Sequence, residues 1–114
     1  MITVDCLKEY GADVDEGLKR CMGNEMLYLR LVATIPSEIT FQQLQESLQE
    51  GDLDAAFEKA HALKGVVGNL SLTPLYQPII EITDHLRARE AMDYSELLSK
   101  ILGEKERLEA MCRE

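Results

Sequence analysis

Residues 53–69 read LDAAFEKAHALKGVVGN, and this stretch decides the fold class. Its apolar residues recur three or four positions apart, which is the spacing of one face of an α-helix. Gly51 and Asp52 stand immediately before it, as the stop of an earlier helix and the N-cap of a new one. The stretch therefore predicts a helix over residues 53–69. Its core stripe consists of Leu53, Ala56, Phe57, Ala60, Leu63 and Val67.

Two further helical segments are predicted upstream of this stretch. Asp13 and Glu16 have the form of a capping box for a short helix over residues 13–22. A longer helical pattern covers residues 24–49, but its apolar face changes phase at Pro36. Because proline also removes a backbone donor, we expect a kink or break at that point.

Two more helices follow downstream. Thr73 and Pro74 mark the start of one, and Asp93 can cap the last. No segment shows the alternating pattern of a strand. The sequence therefore predicts an all-α fold, an antiparallel up-and-down four-helix bundle with a short N-terminal lid helix. At 114 residues we expect a single domain over residues 1–114, with only its acidic, polar ends loose.

Net charge and hydropathy exclude several classes of function. The chain carries 21 acidic and 12 basic side chains, and its net charge of -9 would repel a nucleic-acid backbone. No stretch approaches the roughly 20 apolar residues of a membrane span. The 3 cysteines are widely spaced and form no metal-binding or dithiol pair, and no glycine-rich phosphate loop is visible. We expect a cytoplasmic monomer, without metal or other cofactor, that binds neither nucleic acid nor membranes.

His61 lies on the flank of the predicted helix and not in its core stripe. At about 100° per residue, its side chain points roughly 110° away from the mean direction of the stripe. Gly65 and Gly68 follow on the same side, and Lys64 projects between them and the core edge. We therefore expect His61 to be exposed, with bare backbone and one cation around it.

This pattern suits a phosphoryl acceptor. Two glycines inside a helix cost on the order of 1 kcal/mol each relative to alanine, so they indicate a surface that has to stay clear. An exposed imidazole has a reference pKa of about 6.5 and is in good part neutral and nucleophilic at neutral pH. Lys64 would offset the charge of an incoming phosphoryl group. Two plainer interpretations stay open, namely an incidental surface histidine and glycines that let another helix pack closely.

The run AHALKGVVGNL over residues 60–70 resembles the signature of histidine phosphotransfer domains. In that family the phosphorylated histidine is followed by lysine and glycine three and four positions later, an arrangement present here from His61 onward. The resemblance covers roughly residues 13–112. Ser71 departs from it, since many members carry glycine after the helix, and this departure concerns the turn and not the chemistry.

The resemblance implies a role for each residue of the motif. His61 would accept a phosphoryl group from an aspartate of a receiver domain and pass it to an aspartate of another receiver. Lys64 would assist, and Gly65 would give room. Receiver domains are the implied partners, with a hybrid sensor histidine kinase as a further candidate. The protein would be a carrier in two-component signalling and not an enzyme with turnover chemistry of its own.

Partner docking is expected around the histidine. Family members bring polar side chains from the neighbouring helix close to it, and by position these are Thr83 and Arg87. We add Phe57 and Gly68, which lie on the histidine's own helix, to the expected docking residues.

Two alternative functions stand beside this hypothesis. In one, the chain is a helical adaptor domain in which His61 is incidental and the glycines form a packing groove for a partner helix. In the other, it is the phosphotransfer domain of a chemotaxis-type histidine kinase, which shares the His-x-x-Lys-Gly motif. A kinase core elsewhere in the open reading frame would distinguish the second alternative through its nucleotide-binding motifs.

Overall fold

The computed structural model describes residues 2–113, and all regular structure within that range is helical. A 3₁₀ turn, Ile35–Ser37, separates the third α-helix from the fourth. The prediction of an all-α fold is therefore confirmed. In chain order the α-helices are α1 (Val4–Tyr10), α2 (Val14–Arg20), α3 (Glu25–Thr34), α4 (Thr40–Gln49), α5 (Leu53–Asn69), α6 (Thr73–Arg87) and α7 (Ser95–Arg113).

Helices α4 to α7 form the four-helix bundle, and α3 with the 3₁₀ turn precedes its first helix. Residues 50–52 join α4 to α5, and residues 70–72 join α5 to α6. Connections this short place consecutive helices side by side and antiparallel. Helix α5 packs against α4 and α6, and α6 also packs against α7. One flank of α5, which includes residues 58, 61, 62 and 65, stays open to solvent.

The buried side of α5 agrees with the predicted stripe. Leu53 and Phe57 are partly buried against the core. The alanines of the stripe have no long side chain to hold the neighbouring helices away, so α4 and α6 can approach closely. The remaining four positions of the stripe are fully buried, namely Ala56, Ala60, Leu63 and Val67.

Local signals in the sequence set the ends of the helices. The carboxylates of Asp13 and Asp52 each accept a hydrogen bond from the backbone N–H three residues later, at 3.2 and 3.0 Å, and so cap α2 and α5. Gly51 has φ 73°, the left-handed conformation expected after a helix end. The predicted break at Pro36 is the 3₁₀ turn Ile35–Ser37.

Within residues 2–113, the expectation that the ends of the chain are loose is wrong. Helix α1 buries Leu7 and Tyr10, and α7 continues to Arg113. Arg107 of α7 lies 4.3 Å from the centroid of the Tyr10 ring and donates a hydrogen bond of 2.5 Å to the Tyr10 carbonyl. Helix α1 has only 7 residues, too few to show periodicity, and contacts with α7 from the other end of the chain hold it in place.

Helix α2 is attached to the connection between α5 and α6. A Cβ on Gly17 would lie 2.5 Å from a ring carbon of Tyr28, so only glycine allows this contact. The Tyr28 hydroxyl donates a hydrogen bond of 2.9 Å to the carbonyl of Leu70, and burial raises the pKa of Tyr28 to about 12. The N–H of Asp13 donates to the carbonyl of Ser71 at 2.9 Å. The predicted lid helix therefore lies at the C-terminal end of α5.

Ser71 takes a backbone conformation that is unfavourable for most residues. Its φ is 56°, in the left-handed region that glycine adopts freely and residues with a side chain adopt rarely. The turn after α5 thus has the geometry expected of glycine, although serine occupies the position.

Replacing Ser71 by glycine should therefore stabilise the protein. We expect Ser71→Gly to raise the free energy of unfolding by about 0.5–1 kcal/mol, because the left-handed conformation no longer strains a side chain. Chemical denaturation measures the change. Ser99→Gly is the matched control, and it should destabilise because Ser99 lies inside α7. A loss of stability in Ser71→Gly would contradict the role assigned to the backbone strain.

Candidate functional site

His61 lies in the middle of α5, and its side chain is exposed. This is the placement that the stripe geometry predicts. Gly65 follows one helical turn later, and a Cβ built on it would meet no heavy atom within 4 Å. The surface on the C-terminal side of the imidazole is therefore open backbone.

Two shallow grooves flank His61, and both include His61 and Gly65. The groove on the side of α2 and α6 is polar, whereas the groove on the side of α3 is apolar. The polar groove is further lined by Asp13, Arg20, Lys64, Asn69, Thr73 and Gln77. The apolar groove is further lined by Leu31, Ile35, Ala62, Val66 and Leu70.

Lys64 differs from the arginines near the site in its electrostatic partners. Arg20 is paired with Glu16 at 3.4 Å, and Arg87 is paired with Asp84 at 3.2 Å. Among residues 2–113, Lys64 takes part in no salt bridge. Its ammonium group is thus available to an anion that enters the polar groove.

The two glycines of the motif have different surroundings. Gly65 is open, but a Cβ on Gly68 would lie 2.6 Å from a ring carbon of Tyr76. The interpretation that a glycine permits close helix packing, left open by the sequence, therefore fits Gly68, which receives the Tyr76 side chain of α6. Gly68 still lines the polar groove.

The structure corrects one expected docking residue. Thr83 is fully buried, and its hydroxyl donates a hydrogen bond of 2.6 Å to the carbonyl of Ile79. Thr83 cannot contact a partner. Helix α6 packs between α5 and α7, and the two faces of α6 that contact these helices are buried. Arg87 is exposed, as docking requires.

Phe57 supports the imidazole from within the same helix. Its ring is stacked on that of His61, with centroids 5.7 Å apart and an interplanar angle of 25°. The guanidinium groups of Arg87 and Arg89 lie 5.7 and 4.8 Å from the centroid of the Phe57 ring. The four-residue spacing of Phe57 and His61 is a sequence signal for their contact. Arg89 carried no such signal, because it lies in the connection after α6.

The second histidine has a different environment. His85 is half-buried, and its Nδ1 is hydrogen-bonded to the carboxylate of Glu90. Asp84, its neighbour in sequence, is paired with Arg87 instead. His85 is therefore engaged with the protein itself and lines neither groove.

The described residues contain neither a cluster of metal ligands nor a helix that could span a membrane. In residues 2–113, no three His, Cys, Asp or Glu side chains come together as ligands for a metal ion. None of the helices in this range combines the length and the apolar character that crossing a bilayer requires.

Residues 36–114 match the family model of the Hpt domain, and this is more than half of the chain. The chain belongs to the Hpt domain family. No curated protein and no solved structure matches it. The match contains the whole bundle from α4 to α7, whereas α1, α2 and α3 precede it. Hpt domains are phosphotransfer carriers of two-component phosphorelays and interact with receiver domains and histidine kinases.

The contrast between the two glycines of this Hpt domain can be measured. Gly65→Ala should raise the free energy of unfolding by about 0.5–1 kcal/mol, because alanine favours a helix and the space is open. Gly68→Ala should gain less or lose stability, because the Tyr76 ring has to move. Urea denaturation compares the two.

A second background, which lacks the Tyr76 ring, provides the control for this comparison. In a Tyr76→Ala protein, the obstacle to a Cβ at position 68 is gone, and Gly68→Ala should then stabilise as much as Gly65→Ala does. Equal gains from the two substitutions in the wild-type background would contradict the packing role of Gly68.

Proposed function

We propose that His61 of this Hpt domain accepts a phosphoryl group from the aspartyl phosphate of one receiver domain and passes it to the aspartate of another. The observation that carries the proposal is the position of the imidazole, which is exposed between two grooves beside the open backbone of Gly65. His85 is the only other histidine of the chain, and its contact with Glu90 makes it a poor acceptor.

The chemistry of the transfer needs little from the domain beyond a positioned nucleophile. The unprotonated ring nitrogen of His61 attacks phosphorus, an N–P bond forms, and the P–O bond of the receiver's acyl phosphate breaks, so the aspartate leaves as a carboxylate. Lys64 offsets the negative charge on the phosphoryl oxygens. We infer that the receiver brings the metal ion and that the Hpt domain carries the phosphoryl group without turnover chemistry or a cofactor of its own.

The two grooves suggest how a receiver would dock. Leu31 and Val66 are exposed apolar residues beside His61, with relative exposures of 38% and 42%. Apolar side chains that border an exposed reactive group are typical of a protein interface. Arg87 lies on the other side, over Phe57. We infer a docking surface with an apolar and a polar half, and with Gly65 allowing close approach at its centre.

The proposal also covers the domain organisation, the oligomeric state and the location of the protein. We infer that residues 1–114 act as one domain, as a monomer in the cytoplasm, where two-component receivers are found. An adaptor in which His61 is incidental is the competing function, and it predicts binding to receivers or other partners without phosphorylation.

Substitution of each histidine tests the proposal directly. His61→Gln should abolish phosphorylation by a phosphorylated receiver, because no neighbouring side chain can form the same phosphoramidate, and the bundle should stay folded. His85→Gln is the matched control and should retain transfer. Lys64→Ala should slow transfer and not abolish it, because a charge that solvent screens contributes about 1 kcal/mol or less to the barrier, which is on the order of a tenfold effect at most.

The readout is radiolabel from each phosphorylated receiver of the source organism, with the acid lability and alkali stability expected of phosphohistidine. Label on His61→Gln would refute the assignment. No label on the wild-type protein from any receiver would favour the adaptor function.

A second substitution separates docking from folding. Gly65→Gln should leave stability equal or higher by about 0.5–1 kcal/mol, because glutamine is the better helix former. Transfer should nevertheless fall at least roughly tenfold, because the side chain occupies the approach to His61.

Gly103→Gln is the matched control for this substitution. Gly103 lies inside α7 and also has no heavy atom within 4 Å of a built Cβ. Transfer should be unchanged in this variant. Wild-type transfer by Gly65→Gln would show that the open backbone at residue 65 is not needed for docking.

A further inference from the structure

Arg89, in the connection after α6, joins the end of α6 to the start of α5 next to the phosphoryl acceptor. Its Nε donates a hydrogen bond of 2.6 Å to a carboxylate oxygen of Asp54, in the first turn of α5. Its Nη1 donates a hydrogen bond of 2.6 Å to the carbonyl of Leu86, near the end of α6. The guanidinium group also lies 4.8 Å from the centroid of the Phe57 ring, within the range of a cation–π contact.

These contacts form a continuous series of side-chain interactions that ends at His61. Asp54 and the end of α6 hold the guanidinium of Arg89, the guanidinium covers the Phe57 ring, and the Phe57 ring stacks on the imidazole. The separation of 5.7 Å between the two ring centroids is typical of an aromatic pair.

The backbone of Arg89 is strained where the side chain makes these contacts. Its φ is 52°, a left-handed conformation that is unfavourable for a residue with a side chain. The hydrogen bonds that the guanidinium donates to Asp54 and to the carbonyls at the end of α6 hold that conformation. Arg87 also approaches Phe57, but at 5.7 Å, and it is paired with Asp84 on its own helix. Arg89 is therefore the arginine that is anchored across helices.

An exposed imidazole without support would change rotamer on the ps–ns timescale. Phosphoryl transfer requires the attacking nitrogen in line with the bond that breaks, and misorientation lowers the rate steeply. Stacking on Phe57 limits the rotation of the His61 ring, provided that the Phe57 ring itself is held.

We propose that Arg89 is a positioning residue for His61 and acts through Phe57. The inference rests on the proposed function, in which His61 is the phosphoryl acceptor. Arg89 does not contact the phosphoryl group, since its donors are directed to Asp54 and to the carbonyls at the end of α6. Its effect is to keep one face of the imidazole occupied and the other side free for the receiver.

NMR of the unphosphorylated protein tests the positioning step without any transfer. In the wild type, the ring current of Phe57 should shift the resonances of the His61 ring protons. Arg89→Met, which keeps the length and removes the guanidinium, should reduce this shift about twofold, because the Phe57 ring becomes mobile. Arg113→Met is the matched control at the end of α7, and it should leave the shift unchanged.

Transfer rates then test whether positioning matters for the reaction. Arg89→Met should slow phosphorylation of His61 by a phosphorylated receiver about three- to tenfold, and Phe57→Leu should have an effect of the same size. The double variant should be no slower than Phe57→Leu alone, because Arg89 acts through the ring. Denaturant curves ensure that all variants are compared while fully folded.

The two claims fail in different ways. If the wild type is phosphorylated on His61 and Arg89→Met transfers at the wild-type rate or keeps the full ring-current shift, the positioning inference is overturned and the proposed function stands. If the effects of Arg89→Met and Phe57→Leu multiply in the double variant, Arg89 acts directly on the receiver and the inference is likewise overturned. If no receiver phosphorylates the wild type, the proposed function itself fails.

Discussion

The site depends on the close packing of α5 between α4 and α6. Ala56 and Ala60 are both fully buried, and their small side chains let the neighbouring helices approach the backbone of α5. Because the two neighbours cover the alanine side of the helix, the flank that carries His61 stays exposed. The same constraint gives the imidazole a rigid support, since a residue in the middle of a packed helix moves little. A surface loop would offer exposure without this rigidity.

Around this helix, the surface of the site is made by side chains from distant parts of the chain. Tyr28 attaches α3 to the end of α5 through Leu70, and so places Leu31 at the apolar groove. On the other side, Arg89 links the end of α6 to the start of α5. The domain has a net charge of -9, yet the cations near His61 provide a local environment suited to a phosphoryl group.

The sequence predicted what depends on local signals. The caps at Asp13 and Asp52, the bounds of α5 and the exposure of His61 follow from spacing and N-cap chemistry, and they agree with the structure. Contacts between distant residues were not predictable in this way. Helix α1 is held because Tyr10 meets α7, and Arg89 reaches Phe57 from the connection after α6. Thr83 was misjudged because a helix between two neighbours buries a wider face than a single stripe.

The central claim is that one particular imidazole carries the phosphoryl group. The most direct measurement is to charge the wild-type protein with a phosphorylated receiver and to locate the modification by tandem mass spectrometry under alkaline conditions, with ³¹P NMR to identify the bond. If His61 is the acceptor, the spectrum shows a single phosphoramidate signal and the modified peptide contains His61. A phosphoryl group found on His85 or on a carboxylate would contradict it.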